Sequence, residues 1–168
     1  MEYALGLALG LAVGIGVVAL LLKKKVLDMT FDERQERARG KAYQYGFFTL
    51  LGCVIAYGVL DVVIGPWCDA LAGGMICICL SLTVFATVCI LNDAYLSLKE
   101  NPRKVMTVFT LIMLLNLVIG VINVMNGAAI EEGKLTAASV NLLIGVTTLV
   151  IMAVYVVNYL LARREEVE

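Results

Sequence analysis

Apolar residues run through this chain in long unbroken stretches, not in the alternation of a half-buried strand. Five stretches are each about 20 residues long: Ala4–Leu22, Tyr43–Ile64, Gly74–Tyr95, Val105–Asn126 and Val140–Leu161. At about 1.5 Å per helical residue, each covers about 30 Å of hydrocarbon. Lipid offers the backbone no hydrogen-bond partner, so continuous apolar runs of this kind must close their own bonds as helices. The breaks carry turn-forming residues. Gly65-Pro66 ends the second run, Gly73-Gly74 opens the third, Asn101-Pro102 separates the third from the fourth, and Gly127 and Gly133 flank the next hairpin. The pattern predicts an all-α integral membrane helical bundle of five transmembrane helices, forming a single domain over residues 1–168.

Composition agrees with a lipid solvent. Of 168 residues, 61% are apolar and 16% charged, with a mean hydropathy of +0.93, against about 25% charged in an ordinary soluble domain. A disordered chain, a disulfide-stapled secreted module and a typical cytosolic enzyme are all excluded. The absence of histidine removes the usual imidazole base and the commonest ligand of zinc, iron or copper. Of the five cysteines, Cys53, Cys77, Cys79 and Cys89 lie inside apolar runs, where cysteine acts as a small hydrophobe. Cys77 and Cys79 point in different directions on a helix, and Cys68, in a short polar break, is the one expected to meet water. No P-loop, Gly-x-Ser-x-Gly elbow, dinucleotide fingerprint or histidine metal motif is present. The expectation is a protein that is not an enzyme and binds no cofactor or metal. Nucleic acid is also an unsuitable partner, because the basic residues are interleaved with Asp28, Asp32, Glu33 and Glu36.

A net charge of −1 conceals a strong sorting. Lys23, Lys24, Lys25, Arg34, Arg37, Arg39 and Lys41, then Lys99, Arg103 and Lys104, then Arg163 and Arg164 fall on one set of alternating connections. That is twelve of thirteen basic residues, and the other set holds only Lys134. The positive-inside rule places the twelve in the cytoplasm, with the N-terminus outside and the C-terminus cytoplasmic. Met1-Glu2-Tyr3 carries no basic residue ahead of the first apolar run and Lys23-Lys24-Lys25 follows it, the charge order of a retained anchor and not of a cleaved signal peptide. Within that first run, Gly6, Gly10 and Gly14 recur every four residues, beside a row of Ala4, Ala8, Ala12 and Gly16. Small residues at this spacing let helices approach closely, either within the chain or as a face for a second copy or a partner's helix.

The segment Lys23–Ala42 is the most distinctive. Thr30-Phe31-Asp32-Glu33 reads as a capping box that starts a short solvated helix near Phe31, giving a capped segment over about 30–42. Glu33 with Arg37, and Gln35 with Arg39, sit one turn apart, and acids precede bases as the helix dipole favours. Tyr43 and Tyr45 mark arrival at the membrane interface. The run Asp32-Glu33-Arg34-Gln35, followed by Arg39-Gly40-Lys41-Ala42, resembles a group of small bacterial multi-span membrane proteins that carry an Asp-Glu-Arg-Gln signature before a span. The resemblance covers about a tenth of the chain. It implies a non-catalytic protein of a bacterial cytoplasmic membrane and transfers no functional residue. Asp32, Glu33, Arg34, Gln35, Arg37 and Arg39 are the candidate docking residues for a cytosolic partner, and the lysines also suit an anionic lipid surface.

Polar residues inside the spans are the remaining candidates. Asp61 and Asp93 lie within about one turn of opposite span ends, with Tyr57 placed to hydrogen-bond Asp61. Asn116 is the deepest strongly polar residue, and Gly120, Asn123 and Gly127 continue its face. With Thr83, Thr87, Thr147 and Thr148 at similar depth, this face suits interhelical hydrogen bonds, worth about 0.6 kcal/mol each, or the lining of a small polar path. No ionisable residue sits at mid-membrane depth and no span shows a central Gly-Pro break, which disfavours transport by this chain alone. Two roles remain: a non-enzymatic accessory, regulatory or immunity-type protein working through helix packing and the charged segment, or a permease or channel subunit, alone or as a homo-oligomer.

Overall fold

Two side chains start the first helix by satisfying each other's backbone. Asp32 Oδ1 accepts from the Gln35 amide at 2.7 Å, while Gln35 Oε1 accepts from the Asp32 amide at 3.3 Å. The capping box is therefore Asp32-x-x-Gln35, two residues beyond the expected Thr30-x-x-Glu33. The computed structural model describes residues 30–165, and within it α1 runs from Glu33 to Ile64 without a break. The capped segment is not a separate short helix but the first turns of this one. Its 32 residues give about 48 Å of helix. Some 30 Å of that suffices to cross hydrocarbon, so the excess accommodates the charged turns up to Tyr43.

Gly65, at φ 83, and Pro66 end α1 where the sequence places the stop. The second helix, α2, covers Ala70–Leu91, about four residues earlier than the run Gly74–Tyr95. Gly73 and Gly74 thus lie inside it instead of opening it. Gly73 faces the Tyr57 ring so closely that a Cβ there would stand 2.6 Å from the ring's edge. A glycine that reads as punctuation is here a contact surface. At the other end, Asp93 adopts φ 51, which stops the helix; Asp93 and Tyr95 belong to the connection, not to the span. Pro102 occupies the first position of α3, Pro102–Met125, behind an Asn101 cap whose side chain accepts from the Arg103 amide at 3.0 Å.

The connection after α3 holds a feature without a readable period. Strands β1, Ile130–Glu131, and β2, Lys134–Leu135, pair antiparallel with Ile130 opposite Leu135 and Glu131 opposite Lys134. Glu132 and Gly133, at φ 50 and 78, make the tight turn between them. The α1–α2 connection joins this hairpin: Leu135 donates to the Trp67 carbonyl at 3.0 Å, and its own carbonyl accepts from Asp69 at 2.7 Å. Cys68, between those two residues, is 6% exposed. The expectation that it meets water fails because its sulfur packs beside Gly73 and Tyr57, and burial pushes its thiol above the usual range. A 3-10 turn, Ala137–Ser139, leads into α4, Val140–Glu165.

Consecutive helices run antiparallel, while α2 and α4, whose C-terminal ends meet at Ile90 and Asn158, run parallel. α1 packs on α2, α2 on α4 and α4 on α3, so that their order across the layer is α1-α2-α4-α3. All four are long and apolar enough to cross a membrane. Apart from Ile90 and Ile151, the buried apolar residues are small (Ala42, Ala72, Cys77, Cys79, Ala86 and Cys89 among them), whereas Phe47, Phe48, Val62 and Leu115 face outward. Such a distribution suits lipid, where close approach and not apolar burial binds helices together. α3 and α4 meet through glycine: a Cβ at Gly120 would lie 2.7 Å from the Leu142 backbone, and one at Gly145 would lie 2.8 Å from Leu117.

The proposed first span and its Gly6, Gly10 and Gly14 row lie outside the described residues. Among the described residues, nine of ten basic side chains fall at the end carrying Asp32 and the α2–α3 connection, and Lys134 falls at the hairpin end.

A Gly120→Ala substitution must push α3 and α4 apart and is expected to cost about 1–3 kcal/mol. Gly52→Ala, at a position with nothing within 4 Å, is expected to cost nothing. Thermal unfolding of the two variants in the same detergent compares them directly.

Candidate functional site

The basic end of the layer is organised by the first turns of α1. Gln35 is 6% exposed and uses every polar atom of its side chain group. Its Oε1 closes the cap on Asp32, and its Nε2 donates to the Asp93 carbonyl at 2.7 Å and to the Leu96 carbonyl at 3.4 Å. One turn later Arg39 Nη1 donates to the Ala94 carbonyl at 3.1 Å. Its guanidinium stands 4.1 Å from the centre of the Phe31 ring and 5.6 Å from that of Phe85. The Leu98 amide donates to the Thr30 carbonyl at 3.1 Å. The chain from Thr30 to Arg39 therefore clamps residues 93–98, satisfying carbonyls of the connection that follows α2.

This divides the six candidate docking residues in two. Asp32, Gln35 and Arg39 are occupied with the cap and the clamp. Glu33, Arg34 and Arg37 project outward, with Lys41, and together with the exposed Asp32 and with Ala38 and Asn92 they line an open groove of about 690 Å³. Glu33 and Arg37 pair at 3.7 Å, and Arg34 reaches Asp93 at 3.8 Å. All four side chains are mostly in solvent, where such pairs add little stability. Their charge stays available to a partner.

Asp93 lies outside the span it was assigned to, exposed at the basic end beside Arg34. A second cleft, of about 220 Å³, begins here and is lined by Ile90, Asp93, Tyr95, Tyr155, Asn158 and Tyr159 among others. Asn158 Nδ2 closes its wall by donating to the Ile90 carbonyl at 3.2 Å. The Tyr95 phenol, chiefly through burial, is pushed up to about 12 and stays neutral throughout the ordinary pH range.

The other polar candidates do not converge. Tyr57 and Asp61 share no hydrogen bond. The Tyr57 ring instead packs edge-on against Trp67, 5.9 Å between centres, and Asp61 is half-buried at the hairpin end. Asn116 Nδ2 donates at 2.9 Å to the Ile112 carbonyl of its own helix. Thr83 and Thr148 likewise bond the carbonyls of Cys79 and Ile144, both at 2.8 Å. The expected interhelical network through Asn116 and these hydroxyls is absent, because a side chain four residues ahead of a carbonyl reaches it without crossing to a neighbour. Asn123 does leave its helix, donating to the Ala138 carbonyl at 2.8 Å, where it anchors the turn before α4. Within the spans, tertiary bonds that the sequence does not announce come from Ser81, which donates to the Gly46 carbonyl at 2.8 Å, from Thr110, which reaches Met152 Sδ at 3.9 Å, and from Asn158. Nothing in the spacing of these residues distinguishes them from solvated polar residues.

Gln35→Leu removes the donor shared by two carbonyls and is expected to destabilise the fold by about 1–3 kcal/mol. Amide exchange over 93–98 should quicken while that over the 130–135 hairpin stays unchanged; equal protection of both segments in the variant and the parent would contradict the clamp. Compared with known protein families, curated proteins and solved structures, the chain matches none.

Proposed function

We propose that the chain is a non-enzymatic, five-span protein of a bacterial cytoplasmic membrane, with its N-terminus outside, which docks a soluble cytosolic protein on the outward face of α1. The fifth crossing is Ala4–Leu22, and the orientation rests on the sorting of lysine and arginine. An accessory, regulatory or immunity-type role follows from such a surface. The observation that carries this reading is the division of labour in α1. Gln35 and Arg39 fix the helix to the 93–98 connection, so that Glu33, Arg34, Arg37 and Lys41 are held on a rigid element beyond the lipid. Charged side chains on a rigid helix give a partner its register and steer its approach.

The geometry gives less support to the permease or channel reading. The Asn116 amide donor is spent on its own helix, the Asn123 donor on Ala138, and Gly120 between them is closed against Leu142. Little of that face is left to line a path.

A photo-crosslinking residue at Ala38, in native membranes, is expected to give one discrete adduct with a soluble protein. Reversing Arg34, Arg37 and Lys41 to Glu should abolish it, while Asn116→Leu leaves it intact. An adduct that survives the triple reversal, or solute flux lost with Asn116→Leu, would overturn the assignment.

A further inference from the structure

A groove of about 760 Å³ opens at the basic end between the start of α3 and the last turns of α4. Lys99, Asn101 and Arg103 form its outer rim, and Met106, Tyr155 and Tyr159 its floor and far wall. It exists because α3 and α4 are drawn together near Gly120 and Gly145 but hold bulky residues at this end. Its charge is not balanced from within. Glu100, the acid of the groove, has Oε2 turned onto the Ser97 amide at 3.0 Å. Neither Lys99 nor Arg103 makes an ion pair among the described residues. Lys104, Arg163 and Arg164 add to the same end.

We propose that this groove binds an anionic phospholipid, with Lys99 and Arg103 taking the phosphate and Met106, Tyr155 and Tyr159 covering the first part of an acyl chain. The proposal rests on the membrane placement of the helices and is independent of the docking role of α1. Charge complementarity selects an anion, because the two unpaired cations outnumber the single carboxylate of the groove, Glu100. The lining of the groove selects a lipid over a soluble phosphate: beyond Lys99 and Arg103 it turns apolar and aromatic, with Met106, Tyr155 and Tyr159. Tyrosine favours the headgroup level, with its ring in the apolar region and its hydroxyl in the wet one. Arginine offers a planar fork that fits a phosphate's oxygens.

The test uses the full chain, purified in mild detergent and mixed with equal amounts of phosphatidylglycerol and phosphatidylcholine. Lipid retained by the protein is counted by native mass spectrometry. The parent should retain phosphatidylglycerol preferentially, and Lys99→Gln with Arg103→Gln should cut that preference about tenfold, whereas Lys134→Gln should not. Circular dichroism establishes that each variant is folded. Tyr159→Ser, which keeps both cations, should weaken retention of the long-chain lipid and serves as the second probe. Soluble glycerol phosphate at the same concentration should displace nothing. The proposal is overturned if the double variant keeps the preference, if both lipids are retained equally by the parent, or if glycerol phosphate displaces the lipid.

Discussion

The carbonyls of Asp93, Ala94 and Leu96, exposed where α2 stops, find their donors on a different helix. Gln35 and Arg39 supply them, and much of the basic end follows from that arrangement. Carbonyls of a connection left buried without partners would be costly. Here the cost is met by side chains one turn apart on α1, which hold the connection between α2 and α3 in place. The same contacts fix which face of α1 turns inward, and so which charges face outward.

Between the helices the physics is of another kind. Lipid is as apolar as leucine, so little is gained by burying leucine against leucine. The residues that matter are those allowing backbones to approach: Gly46 against Phe85, Gly73 against Tyr57, Gly120 against Leu142 and Gly145 against Leu117. At the hairpin end, the backbone of Trp67–Asp69 joins Leu135 as a third short strand would, tying the α1–α2 and α3–α4 pairs together. Each end of the layer is thus closed by hydrogen bonds between connections, and the middle by small residues.

Much of this was legible in the sequence where a single strong local cause acts. Gly65-Pro66 stops α1 and Asn101-Pro102 starts α3 as the residue types demand, and the sorted cations already separate the two ends. Legibility failed where two local patterns compete or where the cause is distant. Thr30-x-x-Glu33 and Asp32-x-x-Gln35 are both acceptable caps; the second prevails because Gln35 also reaches Asp93 and Leu96, some 60 residues away. Gly73 looks like a helix opener until Tyr57 is brought onto it. The 130–135 hairpin is too short for any period, and Cys68 is buried by Tyr57 and Gly73, which only the fold brings beside it. The outward charges of α1 were identifiable as charges, but their separation from Gln35 and Arg39 required the fold.

The account depends on the end of the layer that carries the clamp and the lipid groove facing the cytoplasm, with Lys134 on the far side. Single cysteines at Arg37 and at Lys134, in a background lacking the native five, test this directly by labelling with a membrane-impermeant maleimide in intact cells. The account predicts that the Lys134 position is labelled before lysis and the Arg37 position only after it. Labelling of the Arg37 position in intact cells, or equal behaviour of the two, would contradict it.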